Sequence, residues 1–88
     1  MIEKDFIMTN KLGMHARPAA LFVHEAARFR SAILVSKDGL EINGKSVMGL
    51  MLLAAESGST LRIKADGPDE KQALEALGGL FERRFDEE

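Results

Sequence analysis

The sequence predicts an α+β fold: an open-faced β-sandwich in which a four-stranded, mainly antiparallel sheet carries three helices on one face, in the order β-α-β-β-α-β-α. Three observations predict it. Two-residue alternation of apolar and polar positions recurs at Ile2–Met8 and Thr60–Ala65. Helical spacing of apolar residues separates and follows these runs. Asp38-Gly39 joins two aliphatic stretches as the dipeptide best suited to a two-residue hairpin turn. A strand-helix-strand crossover prefers parallel partners, and the hairpin and last strand can fill in antiparallel.

Taken in order, residues 2 to 8 set Ile2, Phe6 and Met8 against Glu3 and Asp5, as in a half-buried strand. Asn10 and Gly13 mark a loop. From Ala16 to about Phe29, Ala19, Phe22, Val23, Ala26 and Phe29 form an apolar stripe opposite His24, Glu25 and Arg28. Pro18 belongs in the first turn of that helix, where its missing N–H costs nothing, so the helix begins just after His15. Ala32–Lys37 and Leu40–Asn43 read as the hairpin strands, and Ser46 caps a short helix over Val47–Ala55 that ends near Gly58. Thr60–Ala65 is a strand; Gly67-Pro68-Asp69 stops it and opens a last helix with the stripe Ala73, Leu74, Leu77, Leu80 and Phe81.

Composition narrows the function classes. The 88 residues suit a single domain, 1–88, which buries only about 60 to 65 per cent of its unfolded surface. With 45% apolar and 30% charged residues and two prolines, the chain is composed as a globule, not a disordered tail. No cysteine is present, which excludes a disulfide framework and a thiolate metal site; no metal or cofactor is expected. The longest uncharged run, Ser46–Ala55, is far short of the roughly 20 apolar residues that span a bilayer. Charges at Glu3, Lys4 and Asp5 break up any signal-peptide core, so the expectation is a soluble, cytoplasmic protein without membrane insertion. A net charge of -2, a pI near 5.7 and the absence of Trp and Tyr disfavour a nucleic-acid binder. The charge is uneven: residues 1–64 carry nine Lys or Arg against six acids, residues 65–88 three against eight.

The segment from Asn10 to Ala19 aims an imidazole, His15, at a helix N-terminus. Free backbone N–H groups and the positive end of the helix dipole make an anion site there, and Arg17 adds donors matched to phosphate oxygens. A dipole disfavours imidazolium, and neutral imidazole is the nucleophile, so the chemistry suits a phosphohistidine. A lone histidine near a helix start is ordinarily a surface residue, and local physics alone does not choose. His24 is the internal comparison: mid-helix on the polar side, without a helix terminus or an adjacent arginine, it reads as solvated.

Gly13-Met14-His15-Ala16-Arg17-Pro18-Ala19 resembles the active-site signature of the HPr family, the histidine-containing phosphocarriers of the bacterial phosphoenolpyruvate-dependent phosphotransferase system. Gly44-Lys45-Ser46-Val47-Met48-Gly49-Leu50 resembles that family's second signature, around its regulatory serine. The resemblance covers the whole chain. It implies that phospho-Enzyme I passes its phosphoryl group to Nδ1 of His15, which hands it to an EIIA domain. The protein would be a carrier with no turnover of its own and a monomer. Ala16 would supply its backbone N–H and Arg17 its guanidinium. Ser46, a preferred helix cap in any case, would be phosphorylated by HPr kinase/phosphorylase in bacteria that have one. The core needs Leu50 and Leu53, which leaves Val47, Met48 and Met51 as an exposed edge beside His15 to dock on Enzyme I and EIIA. Lys11, Arg17, Arg28 and Lys45 would steer acidic partners. His24 and Ala27 stand where some sugar-branch members carry lysines. Thr9–Ala19 and the Phe85-Asp86-Glu87-Glu88 tail are similar to NPr of the nitrogen-related branch, and Gly44-Lys45-Ser46 to HPr proper, so both branches stay open.

Other classes compete. An enzyme using His15 would need a second acid or base and a concave pocket, and neither His24 nor any carboxylate is a persuasive partner in the sequence. A regulatory module of the HPr-like kind that lacks the active histidine is disfavoured by the presence of His15. A nucleic-acid-binding α+β module is disfavoured by the acidic pI and the missing sheet aromatics.

Overall fold

The computed structural model describes residues 1–87. Four strands, β1 (Ile2–Ile7), β2 (Ala32–Lys37), β3 (Leu40–Asn43) and β4 (Thr60–Asp66), form one sheet in the order β1-β4-β2-β3. Three helices, α1 (Ala16–Ala26), α2 (Val47–Leu52) and α3 (Glu70–Glu82), intervene, and a short turn of helix covers Arg84–Asp86. Every strand pairing is antiparallel. The crossover β1-α1-β2 does leave its two strands pointing the same way, but β4 inserts between them and pairs antiparallel with both. No parallel ladder forms among the described residues.

Alternation decides which face is covered. Along β4, Leu61, Ile63 and Ala65 are buried while Thr60 and Arg62 are exposed. The solvated face carries ion pairs between strands: Arg62 Nε lies 2.8 Å from Asp5, its register partner on the neighbouring β1, and Lys64 Nζ reaches across β2 to within 3.0 Å of Glu41 on β3. On the covered face α3 packs over β1 and β4, α1 packs against α2 and α3, and α2 lies beside β3. Phe81 is the hub of this layer, stacked on Phe6 at 5.0 Å between centroids and edge-on to Phe85 at 4.9 Å and Phe22 at 6.4 Å. Aromatic pairs of this kind contribute about 0.5–1.5 kcal/mol each beyond their burial.

Two helix ends differ from the sequence reading. Helix α1 stops at Ala26, after which Phe29 N–H bonds the Ala26 carbonyl in a turn and Lys45 Nζ donates to the Phe29 carbonyl at 2.8 Å. Helix α2 stops at Leu52, not Ala55, because Ala54 takes φ 50° and the Ala55 carbonyl turns away to accept Met14 N–H at 2.8 Å. That bond ties the loop before α1 to the end of α2. The hairpin turn is as read: Asp38 and Gly39 both have positive φ, 51° and 84°, as a two-residue primed turn requires.

The junction between α1 and β2 is pinned from a distance. Asp69, at the start of α3, accepts Ser31 Oγ at 2.6 Å, Arg30 N–H at 2.9 Å and Ser31 N–H at 3.0 Å. These bonds, the one from the Ser31 hydroxyl foremost, lower its carboxyl to about 2.

Candidate functional site

The loop between β1 and α1 is built around Asn10, which is fully buried. Its Nδ2 donates to the Gly13 carbonyl at 2.8 Å, and the Asn10 carbonyl accepts Gly13 N–H at 3.2 Å. Gly13 has φ 68°, and a Cβ there would lie 2.2 Å from the Ala55 carbonyl oxygen. Only glycine lets the loop press this closely on the end of α2. The result fixes where Met14 enters the core, 4% exposed, and hence where the next residue stands.

His15 is the N-cap of α1, with extended φ/ψ of -84° and -173° and no capping bond from its side chain. Its carbonyl accepts Ala19 N–H at 3.0 Å, so the helix starts on it. The Ala16 and Arg17 N–H groups occupy the first turn, where a helix has no internal acceptors to offer. Pro18 is buried in the same turn. The imidazole is about one-third exposed. It borders a shallow surface hollow shared with Lys11, Leu12, Glu56 and Ser57. Arg17 is exposed, borders a second hollow with Leu21, His24 and Phe85, and makes no side-chain hydrogen bond or ion pair among the described residues. His24 lies in the last turn of α1, not mid-helix as the sequence suggested, and borders the same hollow as Arg17.

One partner of His15 escaped the sequence reading, in which no carboxylate stood out. Glu87 reaches Nε2 with both carboxylate oxygens, each at 3.0 Å, and also accepts Asn10 Nδ2 at 3.0 Å. Its carboxyl is held below the usual range, chiefly by the bond from His15, with smaller contributions from Asn10 and the charge of Arg17. Nδ1 has no hydrogen-bond partner among the described residues. No local signal could have found this contact, since 71 residues separate the pair in the chain and Glu87 sits in a run of acids.

Ser46 is the N-cap of α2, its Oγ accepting Gly49 N–H at 3.0 Å. The opposite end of α2 leads to Ala54 and Ala55, which border the His15 hollow. Met48 and Met51 are exposed, 77% and 46%, but Val47 is half-buried against the core and is not part of the open edge. Leu12 and Leu52, each 71% exposed, extend that edge and were not singled out from sequence. Of the basic residues, Arg28 is engaged by Glu25 at 2.6 Å and Lys45 by the Phe29 carbonyl, whereas Lys11 and Arg17 are exposed. Among the described residues, no group of acids and histidines is arranged to hold a metal, and no helix is long and apolar enough to cross a membrane.

Fold and site together define a small α+β protein that presents a partly exposed imidazole at a helix N-terminus. A family described as the phosphotransferase system HPr component phosphorylation site matches residues 2–83. The chain belongs to the HPr family. It is 49% identical to the phosphocarrier protein HPr of Xylella fastidiosa (strain 9a5c), over all of this chain and 99% of that protein. It is 52% identical to the HPr-like protein Crh of Halalkalibacterium halodurans, over 94% of this chain and 99% of that one. In three dimensions it matches HPr-C-His from Thermoanaerobacter tengcongensis with a TM-score of 0.96 at 46% identity, covering 100% and 99% of the two chains.

Proposed function

We propose that this protein is a phosphocarrier of the phosphotransferase system: His15 accepts a phosphoryl group from phospho-Enzyme I through Nδ1 and passes it to an EIIA domain. The observation that carries the reading is the combination at His15 of an Nδ1 unpartnered among the described residues, a carboxylate on Nε2 and a helix N-terminus with Arg17 beside it. An attacking nitrogen needs a free lone pair and room for phosphorus, and the incoming charge of about -2 needs donors. Ala16 N–H and the Arg17 guanidinium are those donors in this proposal. Met48 and Met51 with Leu12 and Leu52 form the apolar docking edge for Enzyme I and EIIA, and Lys11 and Arg17 steer acidic partners. The carrier acts as a cytoplasmic monomer without metal, cofactor or nucleic acid, and has no turnover of its own.

Ser46 is the regulatory phosphosite in this reading, modified by an HPr kinase/phosphorylase. It already caps α2, so a phosphate there adds charge next to the docking edge without removing the acceptor that holds the helix. The acidic tail favours the NPr branch and Gly44-Lys45-Ser46 favours HPr proper; assays with sugar-branch and nitrogen-branch EIIA domains decide between them. For the central proposal, incubation with Enzyme I and phosphoenolpyruvate, read by intact mass, should add one acid-labile phosphoryl group. His15→Ala should accept none and stay folded, and His24→Ala should accept one. Phosphate on His15→Ala, with none on His24→Ala, would reassign the acceptor.

A further inference from the structure

We propose that Glu87 is a positioning residue for His15, holding the imidazole by Nε2 so that the ring proton stays on Nε2 and the lone pair is presented on Nδ1. The proposal rests on the reading of His15 as the phosphoryl acceptor and deepens it.

The geometry defines the tautomer. A carboxylate has no proton to give, so with both oxygens at 3.0 Å from Nε2 the ring nitrogen is the donor. In the neutral ring Nδ1 then carries the lone pair. Carboxylates fix ligating histidines in the same way in metal sites, and losing such a partner typically costs about 10- to 100-fold in function. Glu87 is in turn oriented by Asn10 Nδ2, whose second hydrogen is spent on the Gly13 carbonyl. Asn10, Glu87 and His15 thus form a chain of hydrogen bonds running from a fully buried side chain to the partly exposed ring. Lys11 and Glu56 border the hollow and Arg17 is two residues along, but none of them bonds the imidazole among the described residues.

The tail is placed there deliberately by the fold. After α3 the chain takes three consecutive left-handed residues, Arg84, Phe85 and Asp86, with φ of 53°, 54° and 57°. Such a run is unfavourable for L-residues and persists only where surroundings over-determine it. Phe85, 1% exposed and edge-on to Phe81, is the anchor, and Glu87 N–H bonds the Arg84 carbonyl at 3.0 Å. The turn brings Glu87 back over the start of α1.

In the transfer step, a bond forms between Nδ1 and phosphorus as the bond from phosphorus to the donor breaks, its electron pair leaving with the donor. The Nε2 proton stays on His15. Positive charge developing on the ring is offset by the Glu87 carboxylate, which needs no reorganisation to receive it.

The test compares Glu87→Ala with Asp86→Asn, which removes a neighbouring charge of the same tail. Long-range ¹H–¹⁵N spectra of the His15 ring, recorded in mildly alkaline solution at about pH 8.5 where free imidazole is neutral, should show wild type and Asp86→Asn protonated on Nε2 alone. Glu87→Ala should move both ring nitrogens toward the average of two tautomers, with the amide spectrum of the core retained. Phosphorylation by Enzyme I should fall about tenfold in kcat for Glu87→Ala with KM little changed, and stay at the wild-type value for Asp86→Asn. Unaltered ring shifts and kcat in Glu87→Ala would overturn the proposal, as would an equal loss in Asp86→Asn, which would mean tail charge alone. If wild type itself accepts no phosphate from Enzyme I, the carrier reading fails while the ring spectra still report on the Glu87 contact.

Discussion

Arg17 is prominent in the proposed function and nearly silent in folding. Its side chain is exposed and has no hydrogen-bond or ion-pair partner among the described residues, so nothing in the fold depends on where the guanidinium points. Its charge is felt at Glu87 and would be felt more strongly by a phosphoryl group on His15. Arg17→Ala should therefore slow phosphoryl transfer about ten- to hundredfold, the size of losing one preorganised electrostatic contact. Its stability should move by less than about 0.5 kcal/mol. Stopped-flow transfer assays beside urea melts check both numbers, and equal transfer rates would remove Arg17 from the mechanism. Glu87 is the opposite kind of residue: its bonds to His15 and Asn10 make it part of the folded site before any phosphate arrives.

Helix α2 has only six residues, too few to be stable alone, and it is held by its Ser46 cap and the burial of Leu50 and Leu53. Removing the cap with Ser46→Ala should cost about 1 kcal/mol and leave transfer unaltered. Ser46→Asp keeps a side-chain acceptor and puts negative charge at the positive helix end, which should hold stability or raise it by about 0.3–1 kcal/mol. Transfer from Enzyme I should nonetheless slow, because the new anion lies on the helix that displays Met48 and Met51. The slowing should shrink with added salt as far as it is long-range. Thermal melts and transfer assays of both variants separate the two effects. Wild-type transfer in both would leave Ser46 as a helix cap alone.

At the scale of the molecule, α1, β2 and α3 meet through one carboxylate. Asp69, lowered to about 2 from an ordinary 3.8 by Ser31 and the Arg30 and Ser31 amides, stabilises the fold fully above pH 3.8. That contribution is lost as pH falls through the window toward 2, where the folded protein must take up the proton that the unfolded chain binds more readily. Glu70 and Glu87, also lowered, act in the same direction from a slightly higher starting point of 4.5. Asp69→Asn should be less stable than wild type at neutral pH, and the difference should shrink as pH drops from about 4 toward 2. Denaturant melts across that range check it; a constant difference would mean that Asp69 acts by packing and not by charge.

The sequence by itself determined the element list, the hairpin turn at Asp38-Gly39, the cap at Ser46 and the placing of His15 at the first turn of α1. Each of these depends on residues within a few positions of one another, through periodicity, φ preference or a local hydrogen bond. It also carried the family, because both signatures are short and contiguous. Tertiary structure alone decided the insertion of β4 between β1 and β2, since strand order depends on which edges the whole sheet leaves free. It decided that Val47 is half-buried while Leu52 faces out, because a six-residue helix has too few turns for its pattern to choose a face. The end of α2 was hidden for a related reason: the Ala55 carbonyl is claimed by Met14, 41 residues earlier. Glu87 was the least legible of all. A carboxylate in an acidic run looks like solvated charge until Phe85 is buried, the chain reverses through a left-handed turn, and the two ends of the sequence meet at His15.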